Sequence, residues 1–259
     1  MFVAEFGDVS KSFGRRVDQI GPPAIEHFNL TLEEQEFYCL LGPSGCGKTT
    51  ALSLLAGFEN PTSGKVLHKG IVVAGPGADR AVVFQGDDSL MPWLTASENI
   101  LLGPRIQGKS KAEQEELADR LLTLVGLSGH GHKRPRELSG GMKQRIQIAR
   151  VLANDPSMML MDEPFAALDA QTRVQMQDEL IRIWTATKRT VLFITHDVLE
   201  SLILADRIGV MRAGPASAIR ETITVDLPRP RDRTDPMLLE IYRKIQNILA
   251  DEVAKMEVE

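Results

Sequence analysis

The chain has 259 residues, 43% of them hydrophobic and 25% charged, the proportions of a globular protein with a full-sized core; wholesale disorder, a polytopic membrane protein and a disulfide-stapled scaffold are excluded. Thirty Lys and Arg against 35 Asp and Glu leave a formal charge of -5, which offers no global positive field to nucleic acid or anionic lipid. Residues 1–8 place acids where a signal peptide needs an apolar run, and no later stretch approaches the roughly 18 apolar residues of a spanning helix, so the sequence predicts a cytoplasmic protein with Cys39 and Cys46 reduced.

In chain order, residues 14–24, with Gly21-Pro22-Pro23, read as an exposed loop. Residues 37–41 are a continuous apolar strand, followed at once by a glycine-rich turn and a helix over 49–56. A second strand is expected over 81–84, and after it comes Met91-Pro92-Trp93-Leu94, which either anchors a partner or packs under the adjoining helix. Ser110 with Glu113 forms a capping box for a helix carrying Leu117, Leu121, Leu124 and Val125 on one face and stopped by Gly126. Another helix should begin at Met142, capped by Ser139 or a following glycine, and break at Asn154-Asp155-Pro156. Strands over 158–161, 191–194 and 208–211 complete an alternation of apolar runs and helices that predicts an α/β fold with a mainly parallel sheet. A proline-bearing linker over 226–235 leads to a last helix, capped by Asp235 with Pro236 in its first turn. Its stripe of Leu238, Ile241, Ile245, Ile248, Leu249, Val253 and Met256 either packs back on the domain or binds a partner.

The turn after the first apolar strand, Gly42-Pro43-Ser44-Gly45-Cys46-Gly47-Lys48-Thr49-Thr50, has the spacing of a phosphate-binding loop in the required strand–loop–helix context. Glycines let backbone N–H groups point inward at phosphate oxygens, and the helix start adds the positive end of its dipole. Lys48 reaches the β- and γ-phosphates, and Thr49 places a hydroxyl on Mg²⁺. Cys46, inside this loop, is expected to favour its thiolate and to be the more reactive cysteine, protected by nucleotide. The strand over 158–161 ends in Asp162 and Glu163. Such an acid pair often caps a helix, but downstream of a phosphate loop it supplies a Mg²⁺ ligand in Asp162 and a general base in Glu163.

Leu138-Ser139-Gly140-Gly141-Met142-Lys143-Gln144-Arg145 resembles the signature motif of ATP-binding cassette (ABC) ATPases, which separates them from other phosphate-loop proteins. The resemblance covers residues 1 to about 230 and implies a P-loop NTPase cassette with an N-terminal antiparallel β subdomain and an inserted helical subdomain over roughly 88–155. Domain boundaries follow as 1–228 for the cassette and 229–259 for the linker and C-terminal helix. In the family, Ser139, Gly140 and Gly141 would meet the ATP held by a second subunit, so a homodimer is implied. Gln85 matches the glutamine that reaches Mg²⁺ and the attacking water, His196 the switch histidine at the γ-phosphate, and Phe13 the aromatic that stacks on adenine. Ala167-Leu168-Asp169 resembles the loop crossing the dimer interface.

Three stretches, 90–95, 161–173 and Asp226-Leu227-Pro228-Arg229-Pro230-Arg231, bring the chain nearest to importers of nitrate, sulfonates, taurine and similar small anions. The implied partners are a membrane permease and, indirectly, a periplasmic binding protein, with no nucleic acid, and the implied location is peripheral on the inner face of the membrane. The competing class, a soluble ABC ATPase of DNA repair or translation, would carry two cassettes or a long coiled-coil insertion. An export-type cassette stays open, because cargo and direction reside in partner chains. The chain departs from the family pattern in lacking a glycine at Glu34-Gln35-Glu36 before Phe37, and in the length of the loop over 14–24.

Overall fold

The computed structural model describes residues 2–14, 21–84 and 89–256, and the chain divides into two compact units. The first comprises Met1–Gly77 and Arg189–Glu259, the second Ala78–Lys188.

The first unit holds two sheets. One is antiparallel, in the order β2-β1-β4-β5, built from β1 (Phe2–Lys11), β2 (Ile25–Glu33), β4 (Ser63–His68) and β5 (Ile71–Val72). Phe6 pairs with Leu30 on one side and Val66 on the other, and its ring meets Phe28 edge-on at 5.2 Å. The other has β3 (Phe37–Leu41) between two parallel neighbours, β8 (Thr190–Thr195) and β9 (Arg207–Met211), with β10 (Ile219–Thr224) antiparallel on β9. All five side chains of β3 are fully buried, which explains its unbroken apolar run: helices α1 (Lys48–Ala56), α7 (Val198–Leu204) and α8 (Pro236–Met256) supply the covering layers. The turn into β3 shows what stands in for the missing glycine. Gln35 itself takes the left-handed conformation, φ +61°, its N–H donating to Thr190 Oγ1 (2.9 Å).

Asp235 caps α8 as expected, accepting the Met237 N–H at 2.8 Å. The helix packs in cis against α7 and β9 through Leu238, Ile245 and Ile248. The apolar stripe does not continue to the end. Val253 is exposed, while Glu252 is buried because its carboxylate accepts the Ala213 N–H and pairs with Arg220.

In the second unit, β6 (Arg80–Val83) and β7 (Met158–Asp162) run parallel, Val82 opposite Leu160. Around them lie α2 (Ala96–Ile100), α3 (Leu102–Ile106), α4 (Lys111–Leu124), α5 (Gly140–Leu152) and α6 (Ala170–Thr187). The Ser110–Glu113 capping box opens α4, which buries Leu117 and Leu121 against α5. α5 begins two residues earlier than the expected Met142, because Ser139 caps it and both glycines are helical. Parallel strands, an antiparallel sheet and a helical region make up the mixed α/β architecture that the sequence predicted.

Candidate nucleotide site

The phosphate loop starts where β3 ends. A Cβ on Gly42 would lie 2.8 Å from Cys46 Sγ and 3.1 Å from Met211 Cβ, so only glycine lets the chain turn there. Gly47 takes φ +91°, and a Cβ on it would meet Ile25 Cγ2 at 2.4 Å. The chain enters α1 with no side-chain cap and no acid in the first turn, so nothing in that turn offsets the positive end of the helix dipole. Lys48, 5% exposed, folds back across the curl, its ammonium donating to the carbonyl oxygens of Gly42 (2.8 Å) and Pro43 (2.9 Å). Pro43 is half-buried and Ser44, Gly45 and Thr49 are exposed, with Thr50 half-buried behind them.

Cys46 corrects an expectation. Its side chain is fully buried, with Sγ 3.9 Å from Met211 Sδ, and burial pushes its thiol pKa up despite the nearby Lys48 ammonium. Desolvation outweighs the dipole, so the thiolate is disfavoured rather than favoured.

Phe13 is 51% exposed, and the Lys11 ammonium sits 4.9 Å over its ring. That ammonium is itself fixed by Glu59 (2.7 Å) and the Asn60 carbonyl (2.9 Å). The Lys11 carbonyl accepts the Ala24 N–H at 2.7 Å, and the Ala24 oxygen lies 2.9 Å from where a Gly47 Cβ would be. The Lys11–Phe13 pair therefore stands beside the phosphate loop. His196 is exposed at the end of β8.

The second unit carries the remaining expected residues. Asp162 ends β7 and Glu163 follows, both half-buried, with Glu163 at φ +42°, a backbone conformation uncommon outside glycine and concentrated at functional sites. Asp169 caps α6, accepting the Thr172 N–H (3.0 Å) and hydroxyl (2.6 Å), which hold its carboxyl below the usual range. Ser139 Oγ accepts the Met142 N–H at 3.3 Å, leaving its own O–H to donate, and Gly140 and Gly141 open α5 beside it. Ser139, Gly141, Arg145, Thr172 and Glu179 line a cleft of about 280 Å³. Gln85 lies outside the described residues.

Trp93 is 66% exposed, which removes the reading that packs it under a helix. Its loop is shaped by a residue that sequence reasoning missed. Asn99, fully buried on α2, accepts the Met91 N–H at 2.8 Å and donates to the Leu94 (3.3 Å) and Thr95 (2.9 Å) carbonyls. A polar residue on the inner face of a short helix was the available signal.

A glycine loop closed on a buried lysine, entering an uncapped helix, defines a phosphate-loop nucleotide-binding protein. Comparison with known proteins narrows this. Residues 25–166 match the model of the ABC transporter family. An ABC transporter ATP-binding protein of Methanocaldococcus jannaschii is 53% identical over 232 residues, covering 90% of this chain and 86% of the relative. A nitrate import ATP-binding protein of Synechococcus elongatus is 49% identical over 81% of this chain and 77% of its own length. A bicarbonate transport ATP-binding protein of Synechocystis is 45% identical over 88% and 81%. Among solved structures, a dimeric ATP-binding cassette in a post-hydrolysis state with ADP and Pi superposes with a TM-score of 0.70 at 28% identity, covering 87% of this chain and all of that one. The chain belongs to the ABC transporter family: it is an ATP-binding, ATP-hydrolysing cassette, akin to those of the nitrate-type importer group.

Proposed function

We propose that the chain is the energy-coupling ATPase of an importer for a small inorganic or sulfonate anion, of the nitrate, bicarbonate or taurine kind. The observation that carries this reading is 45–49% identity, over most of the chain, to proteins whose names specify nitrate import and bicarbonate transport. Two such cassettes would work as a homodimer beneath a membrane permease, on the cytoplasmic face, with cargo delivered by a binding protein outside. Support for the dimer comes from the dimeric cassettes among the structural neighbours, and support for a peripheral location from the finding that no helix among the described residues is long and apolar enough to cross a membrane.

In this reading Lys48 and the N–H groups of Gly45, Cys46, Gly47, Thr49 and Thr50 hold the β- and γ-phosphates, with Gly42, Pro43 and Ser44 shaping the loop, while Phe13 takes the adenine on the ring face away from Lys11. The oxygen donors Thr49, Asp162 and Gln85 suit Mg²⁺ by type, and the ion when bound would neutralise phosphate charge. Glu163 takes the proton of the attacking water, His196 contacts the γ-phosphate, and Ser139, Gly140 and Gly141 donate to the ATP of the other subunit.

Glu163→Gln is the test. It removes the base and keeps the shape, so hydrolysis should fall by about 100-fold or more while MgATP drives a stable dimer seen by light scattering. A variant that hydrolyses normally, or stays monomeric at saturating MgATP, counts against this assignment. Uptake of labelled nitrate, bicarbonate and taurine by vesicles containing the cognate permease would then identify the cargo.

A further inference from the structure

The Asp226–Arg231 stretch is part of what likens this chain to the small-anion importers, yet the nucleotide chemistry above gives it no task. In the structure it forms a clamp. Arg231, 8% exposed, donates to the carbonyl oxygens of Leu202 (2.6 Å), Ala205 (2.6 Å), Val225 (2.9 Å) and Leu227 (3.1 Å). Arg229 pairs with Asp206 and donates to the Leu204 carbonyl at 2.6 Å. Asp206 in turn accepts the Phe37 N–H (2.9 Å) and donates its own N–H to the Phe37 carbonyl (2.7 Å), at the start of the strand that runs into the phosphate loop. Two guanidinium groups thus take the carbonyls that end α7, the negative end of that helix. Burial draws the Arg231 pKa down to about 10, so the group stays charged at neutral pH.

The other end of α7 is equally fixed. His196 lies between Thr195 and Asp197, and both are bonded to the first turn. The Thr195 hydroxyl donates to buried Glu200 (2.6 Å) and accepts the Asp197 N–H (3.0 Å), while Asp197 caps the helix by accepting the Glu200 N–H (3.0 Å). α7 has seven residues and is roughly 10 Å long, a single stiff rod between the histidine and the arginines. Its apolar contacts through Val198, Leu202, Ile203 and Leu204 are non-directional and leave its axial position soft, whereas hydrogen bonds at both ends do not.

We propose that Arg231, supported by Arg229, is a positioning residue for His196: it sets where α7 ends, and through that rod where the imidazole stands. The proposal rests on the assignment of His196 to the γ-phosphate. A displacement of about 1 Å at a reacting centre costs roughly 100-fold in rate, so a loosened clamp is expected to act on turnover rather than on nucleotide affinity.

The experiment is a double-variant cycle on the purified chain, reading kcat and KM for MgATP hydrolysis together with ATP affinity and melting temperature. Arg231→Gln should lower kcat about 10- to 100-fold with ATP affinity within about twofold of wild type, and Arg231→Lys should recover part of the loss. In a His196→Ala background, Arg231→Gln should cost nothing further. Losses that multiply in the double variant, or an affinity that falls in step with kcat, overturn the positioning role and leave the histidine assignment intact. A His196→Ala protein that turns over at the wild-type rate overturns both. If Arg231→Gln loses its cooperative melt, Arg231→Lys and Arg229→Gln replace it in the cycle, and the same outcomes support or overturn the role.

Discussion

Two helices of this chain begin at glycines, and they begin differently. α1 is entered through Gly47 in a left-handed conformation, without a side-chain cap, and with Lys48 buried inside the curl. α5 is entered through Ser139, whose hydroxyl satisfies the helix itself, and its first two residues are glycines where α1 has a lysine and a threonine. In the function proposed above, the first start neutralises phosphate charge and the second presents oriented donors. Loss at the first should therefore appear as lost binding, and loss at the second as lost turnover.

The sharpest way to break this contrast is Lys48→Ala. Removing a charge-assisted contact worth about 2–3 kcal/mol should weaken MgATP binding roughly 100-fold, measured by titration with a fluorescent ATP analogue. Unchanged affinity would mean that the cation is not part of the phosphate cradle. A smaller effect is expected at the second start. Ser139→Ala removes one hydroxyl donor to an anionic phosphate, worth about 1.5 kcal/mol, so ATP-driven turnover should drop about tenfold, with nucleotide affinity of the free chain unchanged. If affinity falls and turnover does not, the two starts have been assigned the wrong way round. The smallest effect concerns Cys46. Burial raises its pKa, so the thiolate, which is the reactive form, is scarce at neutral pH and grows only as pH climbs through the raised value. Maleimide labelling followed by peptide mass should be slow at pH 7 and rise on the alkaline side. Fast labelling at pH 7 would show the loop opening.

The glycine turn after β3 and the acid pair at the end of β7 were legible as positions because the motif fixes both residue type and spacing, and β3 and residues 191–194 of β8 because burial on both faces selects an unbroken apolar run there. The antiparallel sheet was not legible from pattern. β1 is interrupted by register shifts between Phe6 and Val9, and Asp8 and His27 take left-handed backbone, so the two-residue alternation never runs long enough to be seen. The stripe on α8 was readable to Ile248 and failed beyond it, since Glu252 is drawn inward by Ala213 and Arg220, a tertiary demand that no local pattern encodes. Cys46 was misjudged for a related reason: a helix start favours a thiolate only where solvent still reaches it. Gly42, closing over Cys46 Sγ, removes that access.

Asn99 has a consequence for timing. By tying Met91, Leu94 and Thr95 to one buried amide, it fixes the turn that carries Trp93 before anything meets it. A chain that lands on this loop need not wait for it to fold, and little ordering entropy is left to lose beyond the rotamers of one indole and its exposed neighbours. A contact made there would be fast to form and uniform in shape from one encounter to the next.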